Sequence, residues 1–433
     1  MKRILILLVP LALYSFSISC SKTPDFSETV VITEEPDPND PDPNDPDPND
    51  PDPNDPDPQD PLVYPVECNG QFAGPYPCNG YDLIGWLSTG SFQASAGNDC
   101  WGWTDPVSGI EYAIYGLDSG TAFINISNPS EPIWIAKVRG GAGGSSIWRD
   151  IKVYNDHAYI VSEADGHGMQ VFDLTRLRDV TVAPELLDAD NTYTEFRSAH
   201  NIVINEESGF AYAVGTNTFG GGPHFIDLQN PANPVAAGGY AGAGYSHDAQ
   251  VVIYNGPDTN YVGKEIYIGS NENSVDIIDV TDKSNPVSIS SISYSDVDYT
   301  HQAWLTENHQ YLIIGDETDE LSFGFNTKTI ILDLTDLNNP QHHFDYTGTN
   351  PSIDHNGYVL GDRYYLSSYS AGLRVMNITE IANSTMLESG YFDVHPADNE
   401  PGFNGAWSVY PYFSSGNIIV SDTESGLFIV KAQ

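Results

Sequence analysis

Positive charge is scarce in this chain. Lys+Arg 16 stand against Asp+Glu 60, a formal net charge of -44 at pH 7, which repels phosphate backbones and argues against a nucleic-acid partner. Long apolar runs are short of a membrane span as well: the stretch Ile4 to Leu13 near the start is too brief to cross a bilayer comfortably. The strings that mark common enzymes are missing. There is no G-x-S-x-G elbow, no H-E-x-x-H, no phosphate loop and no dinucleotide fingerprint. That weighs against catalysis without closing it, because a scaffold can host chemistry without such strings. Cysteine is sparse, with only Cys 4 in the chain.

What is present points to β-structure. Gly 39, Pro 30 and Tyr 26 accompany only 18% charged residues, a mixture of turn formers and aromatics that suits an all-β protein. The first residues, MKRILILLVPLALYSFSISC, combine Lys2 and Arg3, an apolar run and small residues before Cys20. This is a secretory signal. It resembles a bacterial lipoprotein signal, departing at Ser17 where such signals carry Leu, and the resemblance implies acylation of Cys20. A protein so processed is exported and held in the bilayer of the bacterial cell envelope, at the outer membrane or cell surface. Export implies an oxidising compartment. Cys68 and Cys78 flank a turn-rich segment and are expected to pair, leaving Cys100 alone.

Residues 36–61 are five near-copies of one Pro- and Asp-rich pentapeptide. Such a segment cannot bury a core and reads as an extended, self-repelling spacer. The chain therefore divides into a signal over 1–19, a lipid-anchored acidic tether over 20–62 and a repeat domain over 63–433.

In that domain a short pattern returns about every fifty residues, a structural period. Aligning its apolar run puts equivalent positions at Cys100, Arg149, His200, His247, His301, His355 and Asn404. A second and a third apolar strand follow each time, several third strands run into Asn-Pro turns, and a weaker fourth strand completes the unit. Four short strands per period, seven times over, predict a seven-bladed β-propeller. The final unit lacks its outer strand, and Tyr81–Thr89 is expected to supply it and close the ring.

The segments WRDIKVYNDHAYIVSEADGHGMQVFDLT, SHDAQVVIYNGPD, YTHQAWLTENHQY, GDETDE, IDHNGYV and GAWSVYPYFSSGNIIVSDTESGLFIV resemble the choice-of-anchor B family of exported bacterial proteins, built on LVIVD repeats. The resemblance runs from about residue 65 to the end. It implies a propeller and no known reaction.

Inner strands of a propeller start at one mouth of the channel, so the recurring position becomes a ring with histidine in four consecutive blades. One residue on lie Trp101, Asp150, Asn201, Asp248, Gln302, Asn356 and Gly405, a mostly polar set. Two readings of the histidines stand side by side. His200, His247, His301 and His355 bind a divalent transition metal, with Asp248 or Cys100 nearby, or each imidazole hydrogen-bonds the next blade and holds the ring together. Arg149 adds an anion site as a third.

Acidic loops on the same rim, with Glu163 and Asp165 in one and Asp316, Glu317, Asp319 and Glu320 in another, are turn chemistry or a calcium site. Trp101, Trp103, Trp148, Trp304 and Trp407 are packing between blades or sugar platforms, and Cys100 is a buried thiol or a ligand. The sequence thus favours a displayed binding module with an unidentified ligand or surface partner. A metal-dependent, hydrolase-like enzyme is the alternative.

Overall fold

The computed structural model describes residues 62–433. The signal, Cys20 and the repetitive tether lie outside the described residues. Each repeat folds into an antiparallel sheet, and seven such sheets form the domain. Their inner strands are Gly97–Thr104, Arg149–Tyr154, Asn201–Asn205, Asp248–Ile253, Thr300–Leu305, Gly357–Leu360 and Ala406–Tyr410, for blades 1 to 7 in order. Each inner strand touches the next, and that of blade 7 returns to that of blade 1, so the sheets close into a propeller.

Burial follows position within the blade. In blade 4 the second strand, Glu265–Ser270, is buried at every residue, because both its faces lie against neighbouring blades. The outer strand Val287–Ile292 holds only exposed and half-buried residues. Seven apolar clusters result, one at each interface between blades. A fully buried Leu, Ile or Phe contributes roughly 1.5–3 kcal/mol, so these interfaces rather than single sheets carry the stability.

The turns after the third strands repeat as well. Asn125, Asp173, Asp227, Asp279, Asp333 and Asn377 each accept, through the side chain, the backbone N–H two residues on. An Asx turn of this kind stops the strand and starts the return.

Closure is as expected. The strand Tyr81–Leu87 pairs antiparallel with Gly426–Ala432 as the outer strand of blade 7, and a 3-10 turn, Thr89–Phe92, follows it. Two further edges are covered. A hairpin of Phe72–Ala73 and Tyr76–Asn79 adds to the outer strand of blade 6, and Glu185–Leu187 runs parallel to the outer strand of blade 1. Cys68 and Cys78 form a disulfide beside the first of these. Cys100 is free and buried. No helix among the described residues is long and apolar enough to cross a membrane.

Candidate functional site

The inner strands begin at one mouth, and the ring of residues there differs from the sequence alignment in two blades. In blade 2 the Asp150 carboxylate accepts the N–H of Ile202 at 2.9 Å, and in blade 1 it is Asp99 that accepts the N–H of Ile151, at 3.1 Å. The counterpart of Arg149 is therefore Asn98, not Cys100. A register shift between Gly97 and Cys100 inserts the extra residue, and Cys100 falls into the apolar cluster between blades 7 and 1. In blade 7 a shift between Ala406 and Ser408 matches that between Thr300 and Gln302 in blade 5. Trp407 thus takes the place of His301, while Asn404 stays on the rim of the mouth. The ring reads Asn98, Arg149, His200, His247, His301, His355, Trp407.

The four histidines stand in a row. Ring centroids are 4.0 Å apart for His200 and His247, 4.4 Å for His247 and His301, and 4.3 Å for His301 and His355, with Trp407 4.9 Å beyond His355. Three of the four have Nδ1 engaged. His200 Nδ1 lies 2.7 Å from a Glu163 carboxylate oxygen and His247 Nδ1 2.9 Å from the Tyr299 hydroxyl. His355 Nδ1 bonds the carbonyl of Trp407. A carbonyl only accepts, so His355 carries its proton on Nδ1 and leaves Nε2 with a free lone pair. His301 Nδ1 is buried without a partner among the described residues.

Glu317, at the turn after the second strand of blade 5, faces the row. Its carboxylate lies 3.8 Å from His301 Nε2 and 3.7 Å from His355 Nε2, and it accepts the Tyr369 hydroxyl at 2.9 Å. Burial raises Glu317 to about 7 and lowers His355 to about 3. Burial, reinforced by neighbouring imidazoles, also holds His247 and His301 well below the usual histidine range, so both rings are neutral at pH 7. His247, His301 and Glu317 each offer one ligand atom within 4.8 Å of the others, the one such set of His, Cys, Asp and Glu among the described residues. Above them opens a cavity of about 540 Å³, rimmed by Trp148, Phe403 and Trp407.

The polar set one residue on does other work. Asp150 holds Lys152 through two contacts, 2.8 and 3.1 Å, and Lys152 also reaches Asp99 at 3.6 Å. Gln302 accepts the N–H of Gly357 and Gln250 that of Leu305. With Asp99 and Asp150 these side chains join one blade's inner strand to the next blade's backbone. Asp248 is raised to about 6 by burial and then by Asp150. Asn201 and Asn356 keep a buried oxygen without a partner among the described residues. Gly405 lies in a left-handed conformation just ahead of the blade 7 strand. Arg149, which lines a small cavity with the four histidines, bonds the Leu117 carbonyl at 3.2 Å and His167 Nε2 at 2.9 Å and keeps Nη2 buried without a partner among the described residues.

The acidic loops separate. Glu163 serves His200, and Asp165 pairs with Arg197 on the surface. Asp316 accepts the N–H groups of Asp298 and Tyr299 and the Tyr294 hydroxyl, which is turn chemistry. Asp319 and Glu320 are buried, with Lys328 3.5 Å from Asp319. Burial raises them to about 7 and about 9. Of the rim acids, only Glu317 joins the histidines in a close-packed ligand set. Among the tryptophans, Trp103 stacks on Tyr112, Trp148 and Trp407 border the histidine cavity, and Trp101 and Trp304 line a second cavity at the far end of the inner strands.

The alignment overlooked Asn98 and Trp407 as ring members, and Tyr299 and Tyr369 as partners. One signal for Asn98 was available: Asp99 after it matches Asp150 and Asp248.

Comparison with known proteins supports the architecture. Residues 260–293 match the LVIVD repeat family, and they span the second to fourth strands of blade 4. No curated protein matches the chain. Among solved structures, a chain of Kuenenia stuttgartiensis hydrazine synthase is similar with TM-score 0.52 and 13% identity, over 74% of this chain and 92% of that one. The β-propeller domain of Myceliophteria thermophila Cps50 (Swd1) is similar with TM-score 0.47 and 9% identity, over 81% and 98%. The first of these, at 13% identity, speaks to fold alone.

Proposed function

We propose that this chain is an exported binding propeller of the choice-of-anchor B type, held in the bacterial cell envelope by a lipid on Cys20 and displayed on its acidic tether. Its site is the histidine mouth, where it takes a divalent transition-metal ion. The observation that carries the reading is the set of His247, His301 and Glu317, three ligand atoms within 4.8 Å of one another. Within the set, His247 has Nδ1 engaged by the Tyr299 hydroxyl, the outer hydrogen bond that orients a metal-binding imidazole, and His200 and His355 flank it. Neutral imidazole and carboxylate suit zinc, copper, nickel or iron. Bonds near 2.1 Å require the three groups to draw slightly inward.

The cavity above the set leaves room for a ligand bound to the metal, and the same opening favours hydrolysis of a bound ester or phosphoester as a second reading.

Metal analysis of tag-free protein purified without chelator is expected to find about one transition-metal ion per chain. Adding that ion to stripped protein should raise the melting temperature, and the double variant His247→Ala with His301→Ala should bind none and show no rise. A stripped protein that neither retains nor is stabilised by zinc, copper, nickel or iron leaves the histidines as links between blades. Turnover of model esters by the metal-loaded protein, absent in the double variant, would select the hydrolytic reading. Replacing Cys20 with Ser should release a folded propeller from membranes, and a variant that still fractionates with them would defeat the anchor.

A further inference from the structure

At the other end of the channel, where the inner strands finish, a cavity of about 290 Å³ stands apart from the histidine mouth. Its wall is divided. Trp101, Trp304, Tyr410 and Tyr412 form one half, and Val153, Val203, Ile204 and Val251 the other. The aromatic half is rigid. Trp304 meets the buried Tyr358 edge to face at 4.8 Å, Trp101 meets it at 5.7 Å, and Tyr410 packs on Trp101 at 5.1 Å. All four lining aromatics are only half-buried, so packing leaves part of each open to the cavity.

Polar groups sit at two levels. Gln250 lines the cavity, and its oxygen is committed to the Leu305 N–H at 2.8 Å while its NH2 group has no partner among the described residues. Glu206 lines the rim and is exposed. Lys152 is the one cation lining the cavity. Its ammonium lies over the Trp101 ring at 4.5 Å and bonds the Asp150 carboxylate and the Ile151 carbonyl.

These features narrow the ligand. Aromatic faces with a carboxylate nearby suit either an organic cation or the apolar face of a sugar ring. Here the cation position over Trp101 is already filled by Lys152. An amide NH2 on one side and a carboxylate on the other match a ring with hydroxyls around its edge. The volume lies at the small end of ligand pockets, roughly 300–1,000 Å³, and admits one ring rather than an extended chain.

From this we infer that the far mouth is a carbohydrate site, taking one neutral pyranose ring against Trp304 and Tyr412 with hydroxyls on Gln250 and Glu206. It is independent of the metal reading.

The test is titration of the full chain with glucose, galactose, N-acetylglucosamine and their β-linked disaccharides, followed by tryptophan fluorescence and calorimetry. At least one sugar is expected to bind and shift the emission. Trp304→Ala should weaken it about tenfold or more, the loss expected for one aromatic contact. Glu206→Ala, at an exposed position, should weaken it severalfold while circular dichroism stays unchanged, and this arm holds if Trp304→Ala fails to fold. His247→Ala should leave sugar binding as it was. The inference is overturned if no sugar in the panel binds, if binding ignores both variants, or if tetramethylammonium binds at this mouth in their place.

Discussion

Asp105 and Arg178 show how one pair of side chains links two blades. Asp105 sits at the turn after the inner strand of blade 1, fully buried, and Arg178 reaches it from the 3-10 turn Leu174–Asp179 of blade 2 with contacts of 2.9 and 2.5 Å. The guanidinium, with Ser108 and the Val107 N–H, holds Asp105 far below the usual carboxylate range. A depressed carboxylate contributes stability above its ordinary pKa and loses it as pH falls through the folded value. Arg178→Met should therefore lower stability at pH 7, and its deficit relative to the natural protein should shrink below pH about 4. Urea unfolding at pH 7, 4 and 3 measures this. A deficit that stays constant across the three would mean the ion pair is not its source.

Among the elements, the inner strands carry both structure and site. Gln302 is the clearest link, since its side-chain oxygen satisfies the buried N–H of Gly357 in the next blade. Gln302→Ala should leave that N–H without an acceptor and cost about 1–3 kcal/mol, read by equilibrium unfolding. Little or no change would show that water or a neighbour replaces it.

The inner strands also show where the sequence could be read and where it could not. The period of about fifty residues and the alternation of apolar residues were enough to place His200, His247, His301 and His355 at one mouth. Blades 1 and 7 were misaligned at this position: in blade 1 the extra residue at Gly97–Cys100 moves a side chain to a new station, and in blade 7 the apolar run was matched out of step, although Ala406–Ser408 carries the same irregularity as Thr300–Gln302. The pairing of Glu317 with His355 was equally hidden. The two belong to different repeats, and only the packing of blade 5 against blade 6 brings them together. The same holds for the far cavity. Trp101 and Trp304 look alike in sequence to Trp103, which is buried in the cluster between blades 1 and 2 and bonds Asp156 of blade 2.

For the whole molecule, closure decides cooperativity. Blade 7 shares one apolar cluster with blade 6 and another with blade 1, and Leu83, on the closing strand, is fully buried in the first of them. Leu83→Ala should cost about 2–5 kcal/mol and still give a single unfolding transition, since no blade has an interface of its own to fall back on. Two separate transitions by fluorescence and circular dichroism would show that the ring can open locally while the remaining blades stay folded.

The closing strand also sets an order in time. Asp82 and Gln433, joined at 2.9 Å, are 351 positions apart in the chain, so the contacts that finish the propeller are among its most distant in sequence and form late. As the chain emerges from its N-terminal side, Tyr81–Leu87 comes out first among the strands of blade 7 and, apart from the single bridge of Leu83 to Val66, has no strand to pair with until Gly426–Ala432 follows. During that interval the growing domain carries a bare strand at one end and an unfinished blade at the other. Both can recruit a second chain. Only when those seven C-terminal strand residues arrive do both edges disappear, and in one event.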